Sequence, residues 1–217
     1  MVSHERKESG LRDPFSAISH YLGAGLAVVG TGVLLVVGGD SPLALASFAF
    51  YGLAMIFLYL ASAIYHTVRR EIPLLQQLDH SAIYLMIAGT YTPLCLVAIG
   101  GVVGWGMFAA QIVLAAIGIG ATFLFDGGPK WLRLVLYLVM GWMVAFAMGE
   151  TSVAIGPVAT AWLVAGGVTY TLGCVVYATK WPKLWPGSFG SHDLWHIFVL
   201  GGSVCHWITL FLVAQGG

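Results

Sequence analysis

Two histidines, His192 and His196, stand four residues apart in "GSHDLWHIF", just ahead of an apolar run. In an α-helix, positions i and i+4 lie about 40° apart and one turn along the axis. Both imidazoles are therefore presented to one point. The same spacing recurs in "SAIYHTV", where Ser62 and His66 present a hydroxyl and an imidazole. Three neutral imidazoles and a water complete the four-coordinate shell of a catalytic zinc, which keeps one position open. By ligand type alone, copper, iron or nickel also suit imidazole. A carboxylate is at hand in Asp79, next to His80 in "LDHSAIY".

These groups must be positioned by helices in a membrane. The chain has 217 residues, 59% hydrophobic and only 8% charged, with a mean hydropathy of +0.90. Soluble domains carry about a quarter charged residues, so this chain reads as an integral membrane protein. Nine basic residues balance nine acidic ones, and no nucleic-acid partner is expected. Cys95, Cys174 and Cys205 are odd in number and scattered through apolar stretches, which reads as core packing rather than a disulfide framework. Asparagine is absent, which excludes N-glycosylation. The polar opening "MVSHERKESGLRDP" precedes an apolar run too long for a cleaved signal, so that run is read as a span that is retained.

A span needs about 20 mainly apolar residues. Seven are expected, roughly Ser16–Gly38, Leu43–Thr67, Asp79–Ile99, Val102–Phe125, Trp131–Gly149, Pro157–Ala178 and His192–Ala214. The connectors, among them "VRREIPLLQQL", "ETSVAIG" and "TKWPKLWPGSFG", are too short for a soluble domain. The fold class is thus an all-α, seven-helix transmembrane bundle: a tail over residues 1–15 and one domain over 16–217. With seven spans, all nine basic residues fall on one side, from Arg6, Lys7 and Arg12 to Lys180 and Lys183. The opposite connectors carry only Asp40 and Glu150. The positive-inside rule then puts the N-terminus in the cytoplasm and the C-terminus outside. The 29 glycines are read as close-packing positions between helices.

Under that topology His20, Ser62, His66, Asp79, His80, His192, Asp193 and His196 all lie near the cytoplasmic face. Ionisable groups in a span are functional candidates, and the shared depth favours His66, His192 and His196 as a metal site. His4 reads as a tail residue and His80 as an interfacial polar group. His20 reads equally as packing or as a partner of a ligand. His206 lies roughly 15 Å beyond His196 along the axis and about 80° around it, too far for the same ion, and reads as a buried hydrogen-bonding group.

The segments "SAIYHTV", "LDHSAIYLMIAGTYTP" and "HDLWHIFVLGGSVCHW" resemble the hemolysin III type of the progestin and adipoQ receptor family, and "ISHYLGAGL" is similar to that family's first-span start. The resemblance runs from about Asp13 onward. It implies a seven-helix bundle with its N-terminus inside, and zinc held by His66, His192 and His196. It also implies that Asp79 holds the zinc-bound water, with Ser62 as the family's serine. The wider superfamily includes adiponectin receptors and alkaline ceramidases. Bacterial-type members resemble membrane-homeostasis proteins or reported hemolysins, which places the chain in the bacterial inner membrane. No substrate or oligomeric state follows.

The leading expectation is a zinc-dependent hydrolase of a lipid amide or ester, with membrane lipids as its partners. Asp79 orients the water and accepts its proton, and Ser62 donates a hydrogen bond to the water or the oxyanion. The alternative is a non-enzymatic sensor or regulator of membrane state with structural zinc. Direct pore formation finds no polar stripe on the spans. "HDLWH" superficially resembles the zinc-protease H-E-x-x-H, but its aspartate is one methylene short, and "FDGG" around Asp126 comes in the wrong order. No G-x-S-x-G elbow occurs.

Overall fold

Three prolines mark where the first helices begin. Pro14, Pro42 and Pro73 each open a helix, where the missing N–H costs nothing and the fixed φ already suits helical backbone. The computed structural model describes residues 11–125, 129–182, 184–185 and 189–216. His4, Arg6, Lys7, Asp126 and Lys183 lie outside the described residues. The helices are α1 Pro14–Gly38, α2 Pro42–Thr67, α3 Pro73–Pro93, α4 Gly101–Leu124, α5 Lys130–Gly141, α6 Met148–Thr179 and α7 Ser191–Ala214. A wide π-helical turn, Leu94–Ile99, extends α3, and a tight 3-10 turn, Trp142–Ala147, joins α5 to α6.

Six helical runs among the described residues are long and apolar enough to cross a membrane. They are α1, α2, α3 with its π turn, α4, the 50-residue run Lys130–Thr179, and α7. The chain is thus an all-helical, multi-pass membrane protein. The long run is not one straight rod. Gly156 inside it has φ 74° and ψ 169°, a backbone state open essentially to glycine alone, and Pro157 follows. Gly100, with φ 63°, makes the equally sharp corner into α4.

The helices pack α1 on α2, α2 on α3, α3 on α4 and α6 on α7, and α1 also meets α7. α3 and its π turn are the most buried of these runs and form the centre, whereas α4 is the least buried and much of it faces outward. Phe48, Tyr51, Met55 and Leu58 of α2 fill the middle of the core. Hydrocarbon supplies no hydrogen bonds, so polar groups must be satisfied within the protein. Thr31, Thr90, Thr92 and Thr122 each donate to the carbonyl four residues back in their own helix, and Thr151 donates to Ala147 at the end of the 3-10 turn before α6. At the α5 break, Tyr91 donates to the Gly141 carbonyl at 2.7 Å and accepts from the Val144 N–H at 2.9 Å. One phenol thereby satisfies the backbone groups that the change of helix type sets free.

Two stretches read as connectors are helical. Pro73–Leu78 forms the first turns of α3, so Asp79 sits inside the helix rather than at its start, and "ETSVAI" belongs to α6. Hydropathy marks only the hydrocarbon-facing length, and the leucines and glutamines of "LLQQL" are strong helix formers that extend α3 beyond it. The glycine reading divides as well. A Cβ on Gly52, Gly118 or Gly202 meets Thr31, Tyr84 or Tyr170, but Gly25, Gly32, Gly106 and Gly120 face open space. Small residues thus mark close packing at some positions and lipid-facing surface at others.

Gly52→Ala is expected to lower the thermal midpoint in detergent, because a methyl there meets the Thr31 side chain on α1 and overpacking costs about 1–3 kcal/mol. Gly25→Ala, in open space, should leave the midpoint unchanged. Parallel melts of the two variants check the difference.

Candidate metal centre

The end of α2 and the start of α7 supply the histidines. α2 stops one residue after His66, where Val68 turns extended and its N–H closes on the Ile64 carbonyl. α7 starts through Asp193, whose Oδ2 accepts the Gly190 N–H at 2.9 Å. The residue that invited the protease comparison is therefore a capping group at the helix's positive end. It also accepts from Ser16 Oγ at 3.3 Å, which joins α1 to α7 beside the site.

His66, His192 and His196 converge. His192 Nε2 lies 3.4 Å from His66 Nε2 and 3.1 Å from His196 Nε2, and ligand atoms of all three fall within 4.8 Å of one another. A tetrahedral ion with bonds of 2.0–2.1 Å to nitrogen separates its ligands by about 3.3 Å, so the two Nε2 gaps match. His66 and His196 are buried, while His192 stays exposed. Three histidines thus form a group able to hold a metal ion.

Asp79 and Ser62 line the same cavity of about 90 Å³ as the three histidines. Ser62 is buried on α2, one turn before His66, and faces Asp79 of α3. His80, Tyr177 and Lys130 also line the cavity. Lys130 Nζ donates to the Tyr177 carbonyl at 2.8 Å and lies 3.5 Å from the centre of that ring. His80 is half-buried, with its Nδ1 unpartnered, and does not join the histidine group. Leu58, Ile83, Tyr137, Trp195 and Val199 line this cavity and also a second, mainly apolar one of about 90 Å³ that reaches His206. There His206 Nε2 lies 3.3 Å from the Leu163 carbonyl, clear of the three histidines.

From the sequence, Asp13 has no assigned role and His20 reads equally as packing or as a partner of a ligand. His20 Nε2 lies 2.9 Å from His196 Nδ1, and Asp13 Oδ2 lies 2.9 Å from His66 Nδ1. Their available signal was a spacing of seven residues, two helical turns on one face of α1. At Asp13 it was masked by Asp-Pro, which reads as an ordinary helix start.

Together these features define a class: a multi-pass helical membrane protein with a three-histidine group in one end of its bundle. A profile of the haemolysin-III related family matches residues 10–207, and the chain belongs to that family. It is 35% identical to hemolysin-3 of Bacillus cereus over 192 residues, covering 87% of this chain and 85% of the relative. It is 32% identical to a hemolysin-3 homolog of Bacillus subtilis, covering 87% of each. More distantly, it is 26% identical to the human monocyte to macrophage differentiation factor, covering 74% of this chain and 67% of that one.

Elemental analysis of the purified protein is expected to find about one transition metal ion per chain, and His192→Ala should lose it. A His192→Ala variant that folds and keeps its metal would exclude the three-histidine site.

Proposed function

We propose that this protein is a zinc-dependent hydrolase that cleaves an amide or ester bond of a membrane lipid at the cytoplasmic leaflet. One observation carries the reading. The cavity that gathers three histidines, a carboxylate and a hydroxyl shares a wall with an apolar cavity running deeper into the bundle. A polar reaction centre joined to an apolar slot suits a substrate with a scissile headgroup bond and a hydrocarbon tail.

The accompanying topology is seven spans. At 1.5 Å per residue, the run Lys130–Thr179 would measure about 75 Å, more than two hydrocarbon thicknesses of about 30 Å, so it crosses twice and turns at Gly156. The N-terminus then lies in the cytoplasm, and the membrane is the bacterial inner membrane.

His66, His192 and His196 would hold the ion as neutral imidazoles. When bound there, zinc supplies a Lewis acid and makes water a ready nucleophile near neutral pH. Asp79 orients the attacking water and takes its proton, then delivers a proton to the departing amine or alcohol. Ser62 donates a hydrogen bond toward the charge that develops on the carbonyl oxygen. Trp195, Val199 and Leu58 hold the acyl chain. The products are a fatty acid and the amine or alcohol to which it was joined.

Asp79→Ala tests this reading. Fatty-acid release from a panel of ceramide, N-acyl amine and phospholipid should fall about 10²–10⁴-fold, the usual worth of a general base, with metal content retained. A wild-type protein that holds zinc yet releases no fatty acid from the panel speaks for a second reading, structural zinc in a membrane-state sensor. The convergence of α2 and α7 on the histidine group favours that alternative, because an ion there also fastens those two helices together.

A further inference from the structure

We propose that Asp13 and His20 are positioning residues of the metal centre, fixing which nitrogen His66 and His196 turn toward the ion. The inference rests on the metal reading above. α1 supplies none of the three histidines, yet it bonds to two of them and to the helix carrying the third.

Asp13 stands at the position before α1, where an aspartate ordinarily caps the free N–H groups of the first turn. Its side chain makes no capping bond. Oδ2 instead lies 2.9 Å from His66 Nδ1, while the Asp13 N–H donates to the His66 carbonyl at 3.0 Å. Two bonds to one residue fix its ring as well as its backbone. Arg12 approaches the same carboxylate oxygen: its Nε lies 3.5 Å from Asp13 Oδ2, and its Nη2 donates to Tyr65 at 3.1 Å. An ionised carboxylate can only accept, so His66 Nδ1 carries the proton. In the neutral ring, the lone pair then lies on Nε2, the nitrogen turned to the other histidines.

His20 does the same for His196. It is buried, and its ring edge faces His196 Nδ1, with Nε2 at 2.9 Å and Nδ1 at 3.3 Å. Tyr59 packs against it edge-on at 5.1 Å. For His196 to ligate through Nε2, its proton must sit on Nδ1, and the facing His20 nitrogen must accept it. Asp13, Ser16 and His20 form one stripe along α1, and they reach His66, Asp193 and His196 in turn. Groups that orient ligating histidines in this way are typically worth 10–100-fold in metal affinity.

The test uses the full chain in detergent, with zinc affinity measured against a competing chelator and the visible spectrum of the cobalt(II) form. Asp13→Ala and His20→Phe, each verified as folded, should weaken zinc binding 10–100-fold and alter the cobalt spectrum. His20→Gln, which restores an acceptor, should recover part of the loss, a recovery that a merely space-filling role does not produce. Wild-type affinity and spectrum in both removal variants would overturn the proposal, and either position decides alone if only one variant folds. The cobalt wild type gives a measurement that needs no variant. Its shifted imidazole N–H proton signals should include two that exchange slowly with solvent, and their absence also overturns the proposal. A wild-type chain that binds neither zinc nor cobalt instead refutes the metal reading beneath it.

Discussion

Hydrocarbon offers no hydrogen-bond partner, and this one constraint organises the bundle. Buried donors and acceptors there can be answered only by other parts of the same chain. The threonines answer locally, by bonding back one turn in their own helix. The imidazoles differ: apart from the His192–His196 pair within α7, their rings reach away from the helix that carries them. They must find partners on neighbouring helices, so the places where they do so tie the bundle together. His66, His192, His196 and His20 form such a place, and Asp13 and Ser16 extend it to the first turns of α1.

Two levels of α1 differ as a result. Near His20 it is bonded to α2 and α7 through side chains, whereas midway along it Gly52 of α2 lets Thr31 approach closely without a polar contact between them. Polar contacts and small-residue packing are alternative ways to hold membrane helices, and this chain uses both along α1. Trp207 of α7 donates to the Gly30 carbonyl at 3.1 Å beside the Gly52–Thr31 approach. Opposite α1, the breaks at Trp142–Ala147 and Gly156 release backbone groups, and Tyr91 of α3 takes up those of the first break. The apolar cavity lies beside that irregular stretch, lined by Gly141, Trp142 and Val144. Regular helices pack closely, and room for a ligand appears where one departs from regularity.

Membership of the haemolysin-III related family agrees with the residues from which the resemblance was read. The serine-histidine spacing on α2, the aspartate on α3 and the histidine pair on α7 were all legible as a pattern, because helical periodicity is a local property of sequence. Legibility failed where a residue had a respectable local role. Asp13 before Pro14 reads as a helix cap, yet its side chain turns to an imidazole. Asp193 reads as a helix-end residue beside the N-terminal dipole, and it does cap α7. Helix ends failed for a related reason. Hydropathy measures contact with hydrocarbon, whereas the helix continues as long as its backbone bonds can, which put Asp79 inside α3 instead of at its start.

The sequence by itself determined that the chain lives in a membrane, the approximate extent of its spans, and the helix face on which each polar residue stands. These follow from composition and from a repeat of 3.6 residues, and neither depends on distant parts of the chain. Only the tertiary structure decided which faces meet. That His66 of α2 reaches the pair on α7, and that α1 brings Asp13 and His20 behind two of those rings, depends on how the helices order themselves around one another. That order is a property of packing between segments as many as 177 residues apart, and no local pattern encodes it.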